Sequence, residues 1–158
     1  MKINYLILLL IVCNIFQAQT NNIEKGLSEK RTYQELEKEF YNGKTWDVGS
    51  KRNIAKYYLK KAKLEKNNTH IAEGYVMMHF DETLPNALKY IDSLQLITKN
   101  STENYYPARI YLLRGNLNLR FDNLQAALNN YILGLKYAKE KRNKKQIAHG
   151  AYQYCFSE

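Results

Sequence analysis

The sequence predicts an all-α protein built from antiparallel helix pairs. The chain of 158 residues contains only two prolines and seven glycines, and 45% of its residues are hydrophobic. So few helix breakers favour helices over a turn-rich β fold, and the apolar content is sufficient for a core. Apolar residues also recur at steps of three and four, which places them on one face of a helix.

The first 18 residues are predicted to be a secretory signal peptide. Lys2 gives a positive start, residues 3–16 form a mainly apolar run, and Ala18 precedes a return to polar sequence. This run is too short to indicate a membrane span, and its layout is typical of an export signal. We therefore expect an exported protein that is periplasmic or secreted after cleavage. Lipidation of Cys13 and an uncleaved segment that anchors the chain to a membrane remain open alternatives.

A flexible polar lead-in is predicted over residues 19–30, and a helical domain over residues 31–158. The spacing of apolar residues predicts helices over residues 32–41, 47–66, 71–80 and 84–99. The segment Asn67–Asn68–Thr69 ends the second of these helices and can cap the third, because such side chains can accept a hydrogen bond from the first turn. Pro85 suits the first turn of the fourth helix, where a missing N–H costs nothing.

The best-defined helix pair spans residues 107–141. Apolar residues at helical spacing are Ile110, Leu113, Leu117 and Phe121 in its first helix, and Leu124, Ala127, Leu128, Tyr131, Leu135 and Ala138 in its second. Pro107 is expected in the first helical turn, and Asp122 with Asn123 in the connecting turn. We expect the two helices to approach closely at three small residues, Gly115, Ala127 and Gly134.

A longer linker at residues 100–106 precedes this pair, and a partial unit is predicted at residues 145–158. The last helix carries Tyr152, Tyr154 and Cys155, an apolar face that would need a neighbour to cover it. We therefore expect the chain to be a fragment of a longer protein. A homo-oligomer that covers this face is the alternative.

The range 107–141 resembles a tetratricopeptide (TPR) repeat, a helix–turn–helix unit of about 34 residues. If Gly115 takes the eighth position, Tyr111, Ala127, Tyr131 and Gly134 fall on positions that the repeat uses for large and small packing residues. The resemblance implies an α-α superhelix of about three repeats plus a partial one.

The wider chain resembles the exported TPR region of bacterial membrane-anchored AraC-like regulators. The segments that carry this resemblance are YYLKKAKLEKNN, IAEGY, ALKYIDSL, YPARIYLLRGN and ALNNYILGLKYAKE, behind the signal peptide. In that family a transmembrane helix and a cytoplasmic helix-turn-helix region follow the repeats. The resemblance implies the sensor part of a truncated signalling or transcription regulator, whose missing C-terminal part would associate with the membrane.

Four residues of the best repeat are candidates for a peptide-binding groove. They occupy its second, fifth, ninth and thirteenth positions, and they are Arg109, Leu112, Asn116 and Arg120. The resemblance implies that such positions line a concave groove. There the amide of Asn116 can bond a peptide backbone, and the two arginines can bind a carboxylate. The expected partner is a protein or peptide.

No catalytic, cofactor-binding or metal-binding motif stands out, so we expect no enzyme and no cofactor. His70, His79 and His149 are scattered, and the sequence contains neither a paired-cysteine zinc motif nor a phosphate-binding loop. The formal charge of +9 leaves one alternative, a basic helical protein that binds nucleic acid. The cluster of basic residues at 136–145 is interpreted as an exposed helix end rather than as a site for nucleic acid. An enzyme that uses Cys155 with a histidine is the less favoured alternative.

Overall fold

The computed structural model describes residues 31–42 and 48–155, and it describes side chains as far as residue 152. All regular secondary structure in these ranges is helical, which confirms the all-α class. The helices are α1 Tyr33–Asn42, α2 Val48–Leu64, α3 Asn68–Met78, α4 Leu84–Ile97, α5 Ala108–Arg120, α6 Leu124–Glu140 and α7 Lys144–Cys155. The predicted signal peptide, its Cys13 and the predicted lead-in lie outside the described residues.

Helix α1 belongs to a separate compact unit that ends at Gly43. Its start is fixed by Thr32 and Glu35. The backbone N–H of Thr32 donates to the Glu35 carboxylate at 2.8 Å, and the N–H of Glu35 donates to the Thr32 hydroxyl at 3.2 Å. This reciprocal pair is a capping box, which satisfies two N–H groups that the first helical turn leaves without partners.

Helices α2 to α7 form the second compact unit, in which each helix packs on the next and α5 also contacts α7. One buried cluster joins α3, α4 and α5 with the linker, and it contains Ala72, Val76, Ala87, Ile91, Leu94, Tyr106, Ile110 and Leu117. A second cluster joins α5 to α6 through Leu112, Ala127 and Tyr131. Since α5 contributes to both clusters, it is the central helix of this unit.

Three of the turns between helices share one geometry. In each, a residue with positive φ is followed by an asparagine that caps the next helix; the pairs are Lys66–Asn67, Asp122–Asn123 and Arg142–Asn143. Each asparagine N–H also donates to a carbonyl in the preceding helix, at 2.9 to 3.0 Å. These features define a Schellman ending followed directly by an N-cap. The predicted cap at Asn67 and the predicted turn at Asp122–Asn123 are confirmed.

The hairpin of α2 and α3 is repeated by the hairpin of α6 and α7. The same residue types stand at equivalent positions, namely Leu59, Ala62, Asn67, Ile71, Ala72 and Gly74 in the first and Leu135, Ala138, Asn143, Ile147, Ala148 and Gly150 in the second. A Cβ added at Gly74 would lie 3.0 Å from Leu59, and one added at Gly150 would lie 2.9 Å from Leu135. The same glycine–leucine contact therefore closes both hairpins.

The small residues expected between α5 and α6 are confirmed. A Cβ on Gly115 would lie 2.3 Å from the Tyr131 ring, and one on Gly134 would lie 2.7 Å from Leu112. Ala127 is completely buried.

Three details of the best pair differ from the prediction. Pro107 is the N-cap of α5 and does not lie in its first turn. Phe121 and Leu124 are 40% and 52% exposed, although the spacing placed both on apolar faces. Phe121 is the C-cap of α5 and Leu124 is the first residue of α6, so both lie at the turn, beyond the length over which the helices face each other. In the described ranges, no helix combines the length and apolar character needed to span a membrane.

Candidate peptide-binding face

An ion pair joins α3 to α5. The guanidinium of Arg109 lies 2.8 Å from the carboxylate of Glu73, and both side chains are largely buried. The Arg109 guanidinium also lies 5.9 Å from the ring centroid of Tyr105, in the linker. Arg109 is therefore held between α3 and the linker, which fixes the position of one positive charge.

A buried histidine lies beside this pair. His79, the C-cap of α3, is 6% exposed, and its ring N–H donates to the carbonyl of Val76. The pKa of His79 is lowered to about 4, mainly by burial and also by the charges of Arg120 and Arg109, whereas the Val76 bond and Glu73 oppose this shift. The imidazole is therefore neutral at physiological pH, and the positive charge here belongs to the two arginines.

Arg120 is the accessible cation of this region. It is exposed and makes no ion pair with any residue that the structure describes. Its guanidinium donates to the backbone carbonyl of Glu82 at 3.4 Å and lies 5.2 Å from the ring centroid of Phe121. These contacts are weak, so the guanidinium remains available to a carboxylate.

Two partly exposed phenylalanines border the charged residues. Phe80 is 42% exposed and its ring lies 4.5 Å from that of His79, while Phe121 is 40% exposed. We call this surface the arginine face, and define it by Glu73, His79, Phe80, Arg109, Arg120 and Phe121. It offers arginine charge next to apolar rings, the composition that is enriched at the centres of protein interfaces.

Two of the four predicted groove residues belong to the arginine face. Arg109 and Arg120 both lie close enough to His79 to affect its pKa. Asn116 is half-buried, and its side-chain oxygen accepts a hydrogen bond of 2.9 Å from the Tyr131 hydroxyl. Leu112 is only 2% exposed and belongs to the core between α5 and α6, so it is not part of the arginine face.

Sequence reasoning did not single out the aromatic part of this face. A recurring dipeptide could have revealed it, since Phe80–Asp81 follows α3 and Phe121–Asp122 follows α5. Both aspartates have positive φ, at 56° and 57°. The same turn chemistry therefore places a phenylalanine at equivalent ends of two helices.

A second surface carries the clearest basic patch. Lys56, Lys60 and Lys63 follow one another along α2 and line a cavity of about 470 Å³ with Tyr75 and Tyr90. The ammonium of Lys63 lies 5.3 Å from the ring centroid of Tyr75. An adjoining cavity of about 390 Å³ shares Lys63 and both tyrosines. It adds Lys89 and an ion pair between Arg52 and Glu82. We call the combined surface the lysine–tyrosine groove.

Neither surface offers a site for metal chemistry. In the part of the chain that the structure describes, no cluster of three or more His, Cys, Asp or Glu side chains could hold a metal ion. Comparison of the chain with protein-family models, curated proteins and solved structures gave no match.

Proposed function

We propose that this chain is a non-enzymatic, exported module that binds a protein or peptide through the arginine face. The observation that carries the proposal is the accessible Arg120 guanidinium, which lies 5.2 Å from the ring centroid of the exposed Phe121 and makes no ion pair with any residue that the structure describes. A rigid surface of this kind can bind a carboxylate and an apolar side chain of one partner together. The expected ligand is therefore a peptide that carries both acidic and apolar residues.

The helical architecture supports this proposal. The α2–α3 and α6–α7 hairpins repeat the same residue types at equivalent positions, and Glu73 on α3 is ion-paired with Arg109 on α5. Stacked helix pairs present extended surfaces, which such proteins use for binding. We propose a TPR-like arrangement on this basis, and a role as the sensor part of a signalling or transcription regulator.

The test is a selection of peptides followed by a comparison of affinities. Phage-displayed random peptides are selected on the purified chain, and the enriched peptides are synthesised and titrated by calorimetry. Arg120→Glu should weaken their binding by at least about tenfold, because it reverses a charge that contacts a carboxylate. Arg142→Glu is the matched control, since Arg142 is exposed in the turn between α6 and α7. Equal affinities for the two variants would exclude the arginine face.

The lysine–tyrosine groove favours a second candidate function, the binding of single-stranded nucleic acid. Lysines bind the phosphate backbone and tyrosine rings stack on bases, and the groove presents both side by side. The affinity for a labelled deoxythymidine oligonucleotide would then fall steeply with salt. The triple variant Lys56→Gln, Lys60→Gln and Lys63→Gln should have a reduced affinity and a reduced salt slope. The control triple variant Lys136→Gln, Lys139→Gln and Lys144→Gln should change neither quantity. If the original chain binds the oligonucleotide weakly and both triple variants bind it with the same affinity, this function is excluded.

A further inference from the structure

A cavity of about 510 Å³ lies where the linker separates α4 from α5. It is bordered by the C-terminal ends of α4 and α6 and by the first turn of α5. Its apolar wall consists of Leu96, Tyr106, Pro107, Ile110, Tyr111 and Tyr137. This volume is in the range of pockets that hold small organic molecules, which are also mainly apolar with a few polar groups.

Two tyrosines that stack on each other contribute aromatic surface to this wall. The rings of Tyr111 on α5 and Tyr137 on α6 are stacked, with centroids 5.2 Å apart and planes at 12°. Leu96, at the edge of the cavity, is 76% exposed. A planar ring that entered the cavity would contact the tyrosines and cover this leucine.

The charges around the cavity favour an anion. Lys99 and Lys141 line it, are exposed, and make no ion pair with any described residue. The carboxylate of Asp92, which also lines it, is neutralised by the Arg114 guanidinium at 2.6 Å. The C-terminal ends of α4 and α6 each contribute about half a negative charge. The charges of the two lysines and the partial charges of the two helix ends add up to a net charge of about +1.

We propose that this cavity binds a small planar aromatic monocarboxylate. The ring lies against Tyr111 and Tyr137, and the carboxylate lies at Lys99 and Lys141. The proposal does not depend on the arginine face, since the two sites have no lining residue in common. It gives the module a small-molecule site at the linker, next to the contact between α4 and α5.

The probe for this site is 2-naphthoate, titrated into the purified chain by calorimetry and by saturation-transfer NMR. The neutral 2-naphthamide tests the charge, and cyclohexanecarboxylate tests the aromatic ring. We expect 2-naphthoate to bind at least about tenfold more tightly than either, because each lacks one of the two interactions. Equal binding of the naphthoate and the naphthamide, or no naphthoate binding at millimolar concentration, would overturn the proposal.

Variants of the lining residues test which side chains bind the naphthoate. Lys99→Gln with Lys141→Gln should weaken naphthoate binding by about tenfold and leave naphthamide binding unchanged. Tyr137→Leu should weaken the binding of both aromatic compounds, because it removes one stacked ring. The control is Lys136→Gln with Lys139→Gln, two exposed lysines of α6 outside the cavity. Thermal unfolding establishes that each variant is folded. If the control variant loses as much affinity for naphthoate as the variant of Lys99 and Lys141, the site is refuted.

Discussion

The ring of Tyr131 fills the space in which a side chain at Gly115 would have to lie. A Cβ at position 115 would be 2.3 Å from Cε1 of Tyr131, which is completely buried. The hydroxyl at the other end of this ring donates to Asn116, the neighbour of Gly115, at 2.9 Å. Two consecutive residues of α5 thus accommodate the ring and bind its polar end, and this fixes α6 against α5.

Gly115→Ala should therefore destabilise the protein. Overpacking a buried contact costs about 1–3 kcal/mol, and the rigid ring places this site at the upper end of that range. The gain in helix propensity is about 1 kcal/mol, so the net loss should be about 2 kcal/mol, measured by urea unfolding. In a Tyr131→Leu background the same substitution should cost much less. An equal cost in both backgrounds would show that the ring is not the cause.

Arg142→Gly should stabilise the protein by about 0.5–1 kcal/mol. Arg142 ends α6 with φ 52°, a conformation that costs residues with a side chain about 1–2 kcal/mol and costs glycine almost nothing. Part of the gain is lost to the greater freedom of glycine in the unfolded chain. Lys139→Gly removes a similar charge three residues earlier, inside the helix, and should instead destabilise. The free energies of unfolding of the two variants should thus change in opposite directions.

The protein should lose stability as the pH falls from 6.5 towards 4, through His79. The pKa of this histidine in the folded state is about 4, below its ordinary value of 6.5. Between pH 6.5 and 4 the unfolded chain binds a proton that the folded chain does not. The free energy of unfolding is therefore highest above pH 6.5, and it falls by about 1.4 kcal/mol per pH unit as the pH drops through this window.

The variant His79→Gln identifies the group responsible. Its unfolding free energy should depend less on pH between 6.5 and 5, where few carboxyl groups titrate. His149→Gln, at an exposed position, should keep the dependence of the original protein. Parallel pH profiles for the original chain and the His79 variant would contradict the assignment.

The helices and turns were predictable because they depend on local chemistry. Apolar spacing located the helices, and short polar side chains located the cap at Asn67 and the turn at Asp122–Asn123, both of which the structure confirms. The small residues at Gly115 and Gly134 were predictable for the same reason, since close helix packing requires them. The predicted domain boundaries stay a prediction.

The candidate sites depend on contacts between distant residues and were less predictable. Leu112 is buried because it packs against both α6 and α7, where it lies close to Gly134 and Gly150. The oxygen of Asn116 is bound to Tyr131 on the next helix. The aromatic cavity arises where the linker spaces two helix pairs, and the sequence indicated only that this linker is longer.

Hydrogen exchange of the chain with a selected peptide tests the arginine face most directly. The account predicts slower amide exchange in the C-terminal turns of α3 and α5 and in the residues that follow them, where Phe80 and Phe121 lie. The same peptide should protect these amides much less in Arg120→Glu, at equal concentration. Protection confined to α2 and α4, or protection that Arg120→Glu leaves unchanged, would contradict the account.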